Sequence, residues 1–98
     1  MYINILGVNI EIVFTNFEGN PNAMGRWVEK EGKIYISDSM PNSLKNQTIF
    51  HEVIHCVLQG IGEFELGKNE DFVTKLSNVL STICTLKIED NGGTFISK

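Results

Sequence analysis

The sequence predicts a single α+β domain over residues 1–98, in which a small antiparallel or mixed sheet packs against two helices. Two observations lead to this class. Apolar and polar residues alternate in the first third of the chain, and two segments with helical spacing of apolar residues follow. Ninety-eight residues suffice for one core but not for two. The 42% hydrophobic and 20% charged residues are typical of a soluble globular protein.

The strand predictions form two hairpins. Residues 2–6 and 8–14 alternate and are rich in β-branched types, and Gly7 supplies the turn between them. A glycine, a proline and several asparagines in residues 15–22 predict a loop. The second hairpin is expected to run from 24–30 to 33–37, with Glu31 and Gly32 as its turn.

Two helices are predicted after the hairpins. The first begins at about Pro41 or Ser43 and ends at Gln59, before Gly60, because serine and proline favour helix starts and glycine favours helix ends. A loop over 61–69 separates it from a second, amphipathic helix over about 69–86. Residues 91–93 predict a turn, and 94–97 form either a short strand or an irregular tail.

The first predicted helix contains the sequence H-E-V-I-H at residues 51–55, which includes both histidines of the chain. Residues four apart lie on one face of a helix, so His51 and His55 can hold one tetrahedral zinc ion. Glu52 is rotated off the ligand line but stays beside the metal, where a carboxylate can take a proton from water. The alternative is an ordinary histidine pair with a solvated glutamate, which the apolar flanks disfavour.

A catalytic zinc site needs a third protein ligand and an open position. No further histidine exists, so the candidates are Glu63, Glu65, Glu70 and Asp71. If the two helices pack side by side in opposite directions, Glu70 in the first turn of the second helix reaches the height of His55. Glu70 is therefore favoured, with Asp71 and the loop acids as alternatives. The non-ligand interpretation of Glu70 is an acid that interacts with the helix dipole.

Residues 48–58, T-I-F-H-E-V-I-H-C-V-L, resemble the T-L-L-H-E-L-x-H-A signature of small zincin-type metallopeptidases related to the ImmA/IrrE family. Compact phage and prophage versions are particularly similar. The strand at 33–36 and an E-x-x-V-x-x-x-S pattern from Glu70 extend the likeness to about residues 32–81. The resemblance implies a minimal zincin-like fold with zinc on His51, His55 and Glu70 and with Glu52 as catalytic base. The family includes proteases that cleave transcriptional repressors.

These observations predict a zinc-dependent peptide hydrolase, in which water activated by zinc and Glu52 attacks a carbonyl of a peptide or protein substrate. The strand at 33–37 is expected to be a sheet edge above the site, to which an extended substrate adds. Tyr35 is a candidate for stabilising the oxyanion, and a half-buried structural aromatic is its alternative role. Two other classes stay open: a non-catalytic, zinc-stabilised phage or prophage interaction module, and a metal-free helical binding protein.

Charge and composition limit the classes of partner and the compartment that the sequence predicts. The net charge of −4 and the scattered lysines give no general attraction to nucleic acid or to anionic membranes. The N-terminus lacks the features of a signal peptide, and no apolar run is long enough to span a bilayer. Cys56 and Cys84 lie in apolar, predicted helical surroundings, which favours free thiols in a reducing compartment. The expected location is the cytoplasm of a bacterial or phage-infected cell.

Overall fold

A mixed sheet, three α-helices and a terminal hairpin form from residues 1–17, 23–89 and 92–97, which the computed structural model describes. The predicted α+β class is confirmed. In chain order the elements are β1 (Tyr2–Ile5), β2 (Val8–Thr15), β3 (Gly25–Val28), a 3-10 turn (Glu29–Glu31), β4 (Lys33–Ser37), α1 (Asn42–Gly60), α2 (Phe64–Gly67), α3 (Glu70–Ile83), β5 (Cys84–Glu89) and β6 (Gly92–Ser97).

The four-stranded sheet has the order β1-β2-β4-β3. Both predicted hairpins are present, because β1 pairs antiparallel with β2 and β3 pairs antiparallel with β4. The two hairpins join through a parallel pairing of β2 with β4, in which Ile12 lies opposite Ile34. β4 is therefore bonded on both sides, and the prediction that it forms the sheet edge is wrong. The edge strand is β3.

The main core lies between the four-stranded sheet and α1. Isoleucines from the sheet face the helix, and Ile34, Ile36 and Ile49 are fully buried. Each such side chain contributes roughly 1.5–3 kcal/mol relative to an exposed one. The buried members of this core are Ile3, Ile5, Ile10, Ile12, Ile34, Ile36, Ile49 and Cys56. This layer holds α1 directly beneath the sheet.

A second cluster joins α1 to α3. Its fully or largely buried members are Ile54, Leu58 and Val73, and apolar side chains from α2 and α3 pack against them. Early residues of α1, such as Leu44, share a cleft with late residues of α3, such as Asn78, so the two helices run in opposite directions. This arrangement brings the start of α3 beside the later turns of α1, as expected from the sequence.

The helix bounds differ from the predictions mainly at the end of α3. This helix stops at Ile83 rather than at residue 86, because Cys84 is extended and begins β5, which pairs with β6. The sequence from Cys84 to Glu89 also alternates apolar and polar residues, so the same segment satisfies a strand pattern. The alternative of a terminal strand over 94–97 is confirmed within β6.

The loops differ in smaller ways. α1 includes Gly60, with Pro41 as its N-cap residue, and the expected loop over 61–69 contains α2. Thr15, expected in a loop, ends β2. Residues 18–22 of the expected loop and residue 91 of the expected turn lie outside the described residues, and Gly92 and Gly93, also expected in that turn, begin β6. Both cysteines are free, with Cys56 buried. Among the described residues, no helix combines the length and apolar character needed to cross a bilayer.

Gly25 permits the close approach of β3 to α1. A Cβ atom added there would lie 2.7 Å from Thr48 Cγ2 and 3.3 Å from Glu52 Cγ. We expect Gly25→Ala to destabilise the metal-free protein by about 1–3 kcal/mol in denaturant unfolding, because both neighbours are held on a packed helix.

Gly60→Ala is the matched control for this prediction. Its added Cβ would lie 2.8 Å from Leu6 Cδ1, at the tip of a flexible and exposed side chain that can move aside. The expected change is within about 0.5 kcal/mol. Equal effects of the two substitutions would contradict the assignment of a close β3–α1 contact at Gly25.

Candidate metal centre

Ligand atoms from three side chains converge at the junction of α1 and α3. His51 Nε2 lies 3.0 Å from one carboxylate oxygen of Glu70, and His55 Nε2 lies 2.9 Å from the other. The two Nε2 atoms are 3.2 Å apart. The histidines stand one turn apart on α1, and Glu70 is the first residue of α3. In the described part of the chain, these three residues form a cluster that could hold a metal ion.

The orientation of His55 is set by the backbone of α2. Its Nδ1 lies 2.8 Å from the carbonyl oxygen of Gly67. A carbonyl oxygen only accepts hydrogen bonds, so Nδ1 carries the proton and donates it. In the neutral imidazole, Nε2 therefore presents a lone pair to Glu70 and His51. This is the arrangement in which metal-binding histidines are commonly held, because a backbone acceptor fixes both the tautomer and the ring orientation.

The start of α3 is equally fixed. Asn69 caps the helix, since its side-chain oxygen accepts a hydrogen bond from the backbone N–H of Phe72 at 3.1 Å. Glu70 follows directly, so the cap determines where its side chain leaves the helix. Its carboxylate is 66% exposed, whereas the His51 and His55 side chains are 23% and 19% exposed. The cluster is thus anchored on its protein side and open toward solvent.

The donor set fits a tetrahedral cation. Two imidazole nitrogens and a carboxylate in close contact repel one another unless a proton or a metal ion lies among them. In a tetrahedral zinc site with bonds of 2.0–2.1 Å, neighbouring ligand atoms lie about 3.3 Å apart. The two Nε2 atoms lie 3.2 Å apart, close to that value, and each lies 2.9–3.0 Å from a different oxygen of the Glu70 carboxylate. Two histidines and one carboxylate leave a fourth position free.

Glu52 lies beside this cluster in a half-buried position on α1. Burial raises the pKa of its carboxyl above the ordinary value, and the nearby Glu70 acts in the same direction. His51, His55 and a hydrogen bond from the backbone N–H of Trp27 partly oppose this increase in the pKa. A carboxyl with a raised pKa is suited to taking up a proton and returning it.

A cleft of about 780 Å³ opens over the cluster. β3 forms one side, α1 forms the floor, and α3 with the end of α2 forms the other side. Its lining residues are Met24, Gly25, Arg26, Trp27, Leu44, Gln47, Thr48, His51, Glu52, His55, Gln59, Phe64, Gly67, Lys68, Glu70, Thr74, Ser77 and Asn78. The cleft therefore runs along an edge strand and across both histidines.

The other candidate ligands lie away from the cluster. Asp71 pairs with Lys75 at 3.0 Å, and its side chain is 77% exposed. Glu63 and Glu65 are exposed and do not belong to the group of converging ligand atoms among the described residues. Of the four acids considered from the sequence, Glu70 is the one that the fold brings to the histidines.

Tyr35 does not lie at the site, so its candidacy as oxyanion stabiliser is wrong. Ile34 and Ile36, on either side of it in β4, point into the core against α1. Tyr35 therefore occupies the opposite face of the sheet, where its hydroxyl bonds to Glu31 and the Arg26 guanidinium lies 5.9 Å from its ring centre. The alternative, a half-buried structural aromatic, is confirmed.

Two parts of the site were not predicted. The Gly67 carbonyl carries no side-chain signal and becomes an acceptor only because α2 turns it toward His55. The position of β3 at the edge of the sheet was not predicted. It results from the parallel pairing of β2 with β4, which joins segments far apart in sequence. Trp27, the only tryptophan of the chain, donates a hydrogen bond to Gln59 at 2.8 Å within this edge region.

Comparisons of the chain with protein-family models, with curated proteins and with solved structures find no match. The resemblance of residues 48–58 to metallopeptidases related to the ImmA/IrrE family therefore stays a prediction that rests on the motif. The chemistry of the site follows from its own residues.

Proposed function

We propose that this chain is a zinc-dependent peptide hydrolase. The observation that carries the proposal is the convergence of His51 Nε2, His55 Nε2 and the Glu70 carboxylate within 3.2 Å of one another. Glu52, which a purely structural metal site would not need, stands beside them in the same cleft. In the proposal, the two histidines and Glu70 hold the metal and Glu52 is the general base.

Zinc, when bound to such a donor set, supplies Lewis acidity and lowers the pKa of water to about 7. Glu52 accepts a proton from the attacking water and then delivers it to the leaving amine. Its half-buried position keeps the carboxylate poorly hydrated. His55 keeps its Nε2 directed at the ligand cluster because Gly67 holds its other nitrogen.

The edge strand supports a peptide as the substrate. β3 is paired with another strand, β4, on one side only, and it borders the cleft together with Glu52. An extended peptide can add to such an edge through backbone hydrogen bonds, which recognise a chain of peptide units without requiring one sequence. In the proposal, β3 takes the substrate-binding role that was predicted from the sequence for residues 33–37. The motif resemblance further favours a regulatory protein as substrate, in the cytoplasm of a bacterial or phage-infected cell.

A mixture of unstructured peptides tests the proposal. Zinc-loaded protein is expected to generate new peptide termini detectable by mass spectrometry. A chelator should stop the cleavage, and added zinc should restore it. Binding of zinc with no cleavage at any site in the mixture would contradict the hydrolase and favour the zinc-stabilised interaction module.

A further inference from the structure

A chain of two hydrogen bonds ties the edge strand to the end of α1. Trp27 Nε1 donates to Gln59 Oε1 at 2.8 Å, and Gln59 Nε2 donates to Glu29 Oε2 at 2.8 Å. Trp27 belongs to β3, Glu29 begins the 3-10 turn that follows it, and Gln59 lies one turn after His55 on α1. The side-chain amide of Gln59 therefore binds one residue on each side of the junction between β3 and the 3-10 turn.

The position of β3 matters for Glu52. Trp27 and Glu52 line the same cleft, and the backbone N–H of Trp27 lies near enough to the Glu52 carboxyl to oppose part of the rise in its pKa. Two residues before Trp27 in β3, Gly25 lies so close to α1 that a Cβ added to it would be 3.3 Å from Glu52 Cγ. β3 is paired with another strand, β4, on one side only. Its distance from α1 therefore depends on contacts with that helix, such as the Trp27–Gln59 hydrogen bond.

Trp27 and Gln59 also form the wall between two cavities. Both residues line the main cleft, and both line a second cavity of about 380 Å³ whose other walls are mainly apolar side chains of the first hairpin, including Ile5 and Val8. Loss of their hydrogen bond would leave the indole free to move toward this second space. The backbone of Trp27 would then lose its fixed position above Glu52.

We infer that Gln59 is a positioning residue that fixes β3 over α1 and thereby holds the backbone of Gly25 and Trp27 in place beside Glu52. The catalytic consequence rests on the proposed hydrolase, whereas the structural tie does not. Glutamine suits this place because one amide supplies the acceptor for Trp27 and the donor for Glu29. Leucine supplies neither, and a glutamate would accept from Trp27 but repel Glu29.

Three variants test the catalytic consequence. Gln59→Leu is expected to lower kcat about tenfold while KM changes less, because a base displaced by a fraction of an ångström loses rate rather than substrate binding. Gln59→Glu should show a similar loss. The double variant Gln59→Glu with Glu29→Gln reverses the two polar partners, restores both hydrogen bonds and is expected to recover most of kcat. Zinc affinity should stay unchanged in all three.

Two readouts on Trp27 test the tie itself, whether or not the protein cleaves peptides. In Gln59→Leu, the backbone amide of Trp27 is expected to exchange with solvent at least about tenfold faster, and the single indole N–H resonance should shift. Amides of β1 should not change. Gln47→Leu, which removes the other glutamine of α1, is the matched control and should leave both Trp27 signals as in the original protein.

The outcomes separate the two proposals. Unchanged Trp27 exchange in Gln59→Leu would overturn the positioning role, even if the protein is an active hydrolase. Faster exchange that the double variant reverses would support the tie, even if no peptide is cleaved and the proposed function fails. A loss of kcat in Gln59→Leu that the double variant does not recover would also overturn the inference.

Discussion

Zinc-loaded Glu52→Gln protein is expected to hydrolyse peptides about 10²- to 10⁴-fold more slowly than the original protein, with zinc affinity unchanged. The substitution keeps the size of the side chain and removes the group that accepts and returns the proton. The proposed metal ligands, His51, His55 and Glu70, are untouched by the substitution. Single-turnover rates on a cleaved peptide, with zinc content measured on the same samples, give the comparison.

The same variant separates catalytic loss from structural damage. Burial raises the pKa of the Glu52 carboxyl, so the charged form is costly to hold in the folded protein. Removing that charge should leave the metal-free protein at least as stable as the original above neutral pH. A Glu52→Gln protein that binds zinc, remains folded and cleaves at the original rate would exclude the assigned mechanism.

Glu70→Ala is expected to weaken zinc binding by at least about 100-fold, because it removes one of the three proposed ligands rather than a supporting contact. The change also removes the link that a bound metal would make between α1 and α3. Zinc should therefore raise the unfolding temperature of the original protein much more than that of the variant. Titration with zinc and thermal unfolding with and without the metal measure both effects.

Asp71→Ala provides the matched control for the third ligand. Asp71 is the next residue of the same helix turn, but its carboxylate pairs with Lys75 in an exposed position. An exposed pair of this kind contributes little, so stability should change by less than about 1 kcal/mol and zinc affinity should stay the same. Equal losses of zinc affinity in the two variants would contradict the assignment of Glu70.

The parts of the site that were predicted from sequence depend on local geometry. The i,i+4 spacing of His51 and His55 is decided within one helix turn, whatever the rest of the chain does. The position of Glu70 required one further step, a reversal of direction between two helices, which the glycine-containing loop and the apolar periodicity of the second helix indicated. Both steps use short-range patterns, and the structure brings the three residues together.

The parts that were missed depend on distant pairings. No local pattern shows that β2 pairs with β4, and this one parallel ladder moves β4 into the sheet and leaves β3 at the edge. Tyr35 shows the same difficulty, since alternation says that it differs from Ile34 but not which of the two faces α1. The end of α3 was missed because Cys84 and the next residues suit a helix and a strand equally well until β6 supplies a partner.

Metal content tests the central claim most directly. Elemental mass spectrometry on untagged protein, purified without chelator, is expected to find one zinc per chain and to find the metal lost in His51→Ala. Zinc binding at that stoichiometry is what the geometry of the two imidazoles and Glu70 predicts. Absence of metal from the original protein, even after zinc is offered at neutral pH, would contradict the metal centre and the hydrolase built on it.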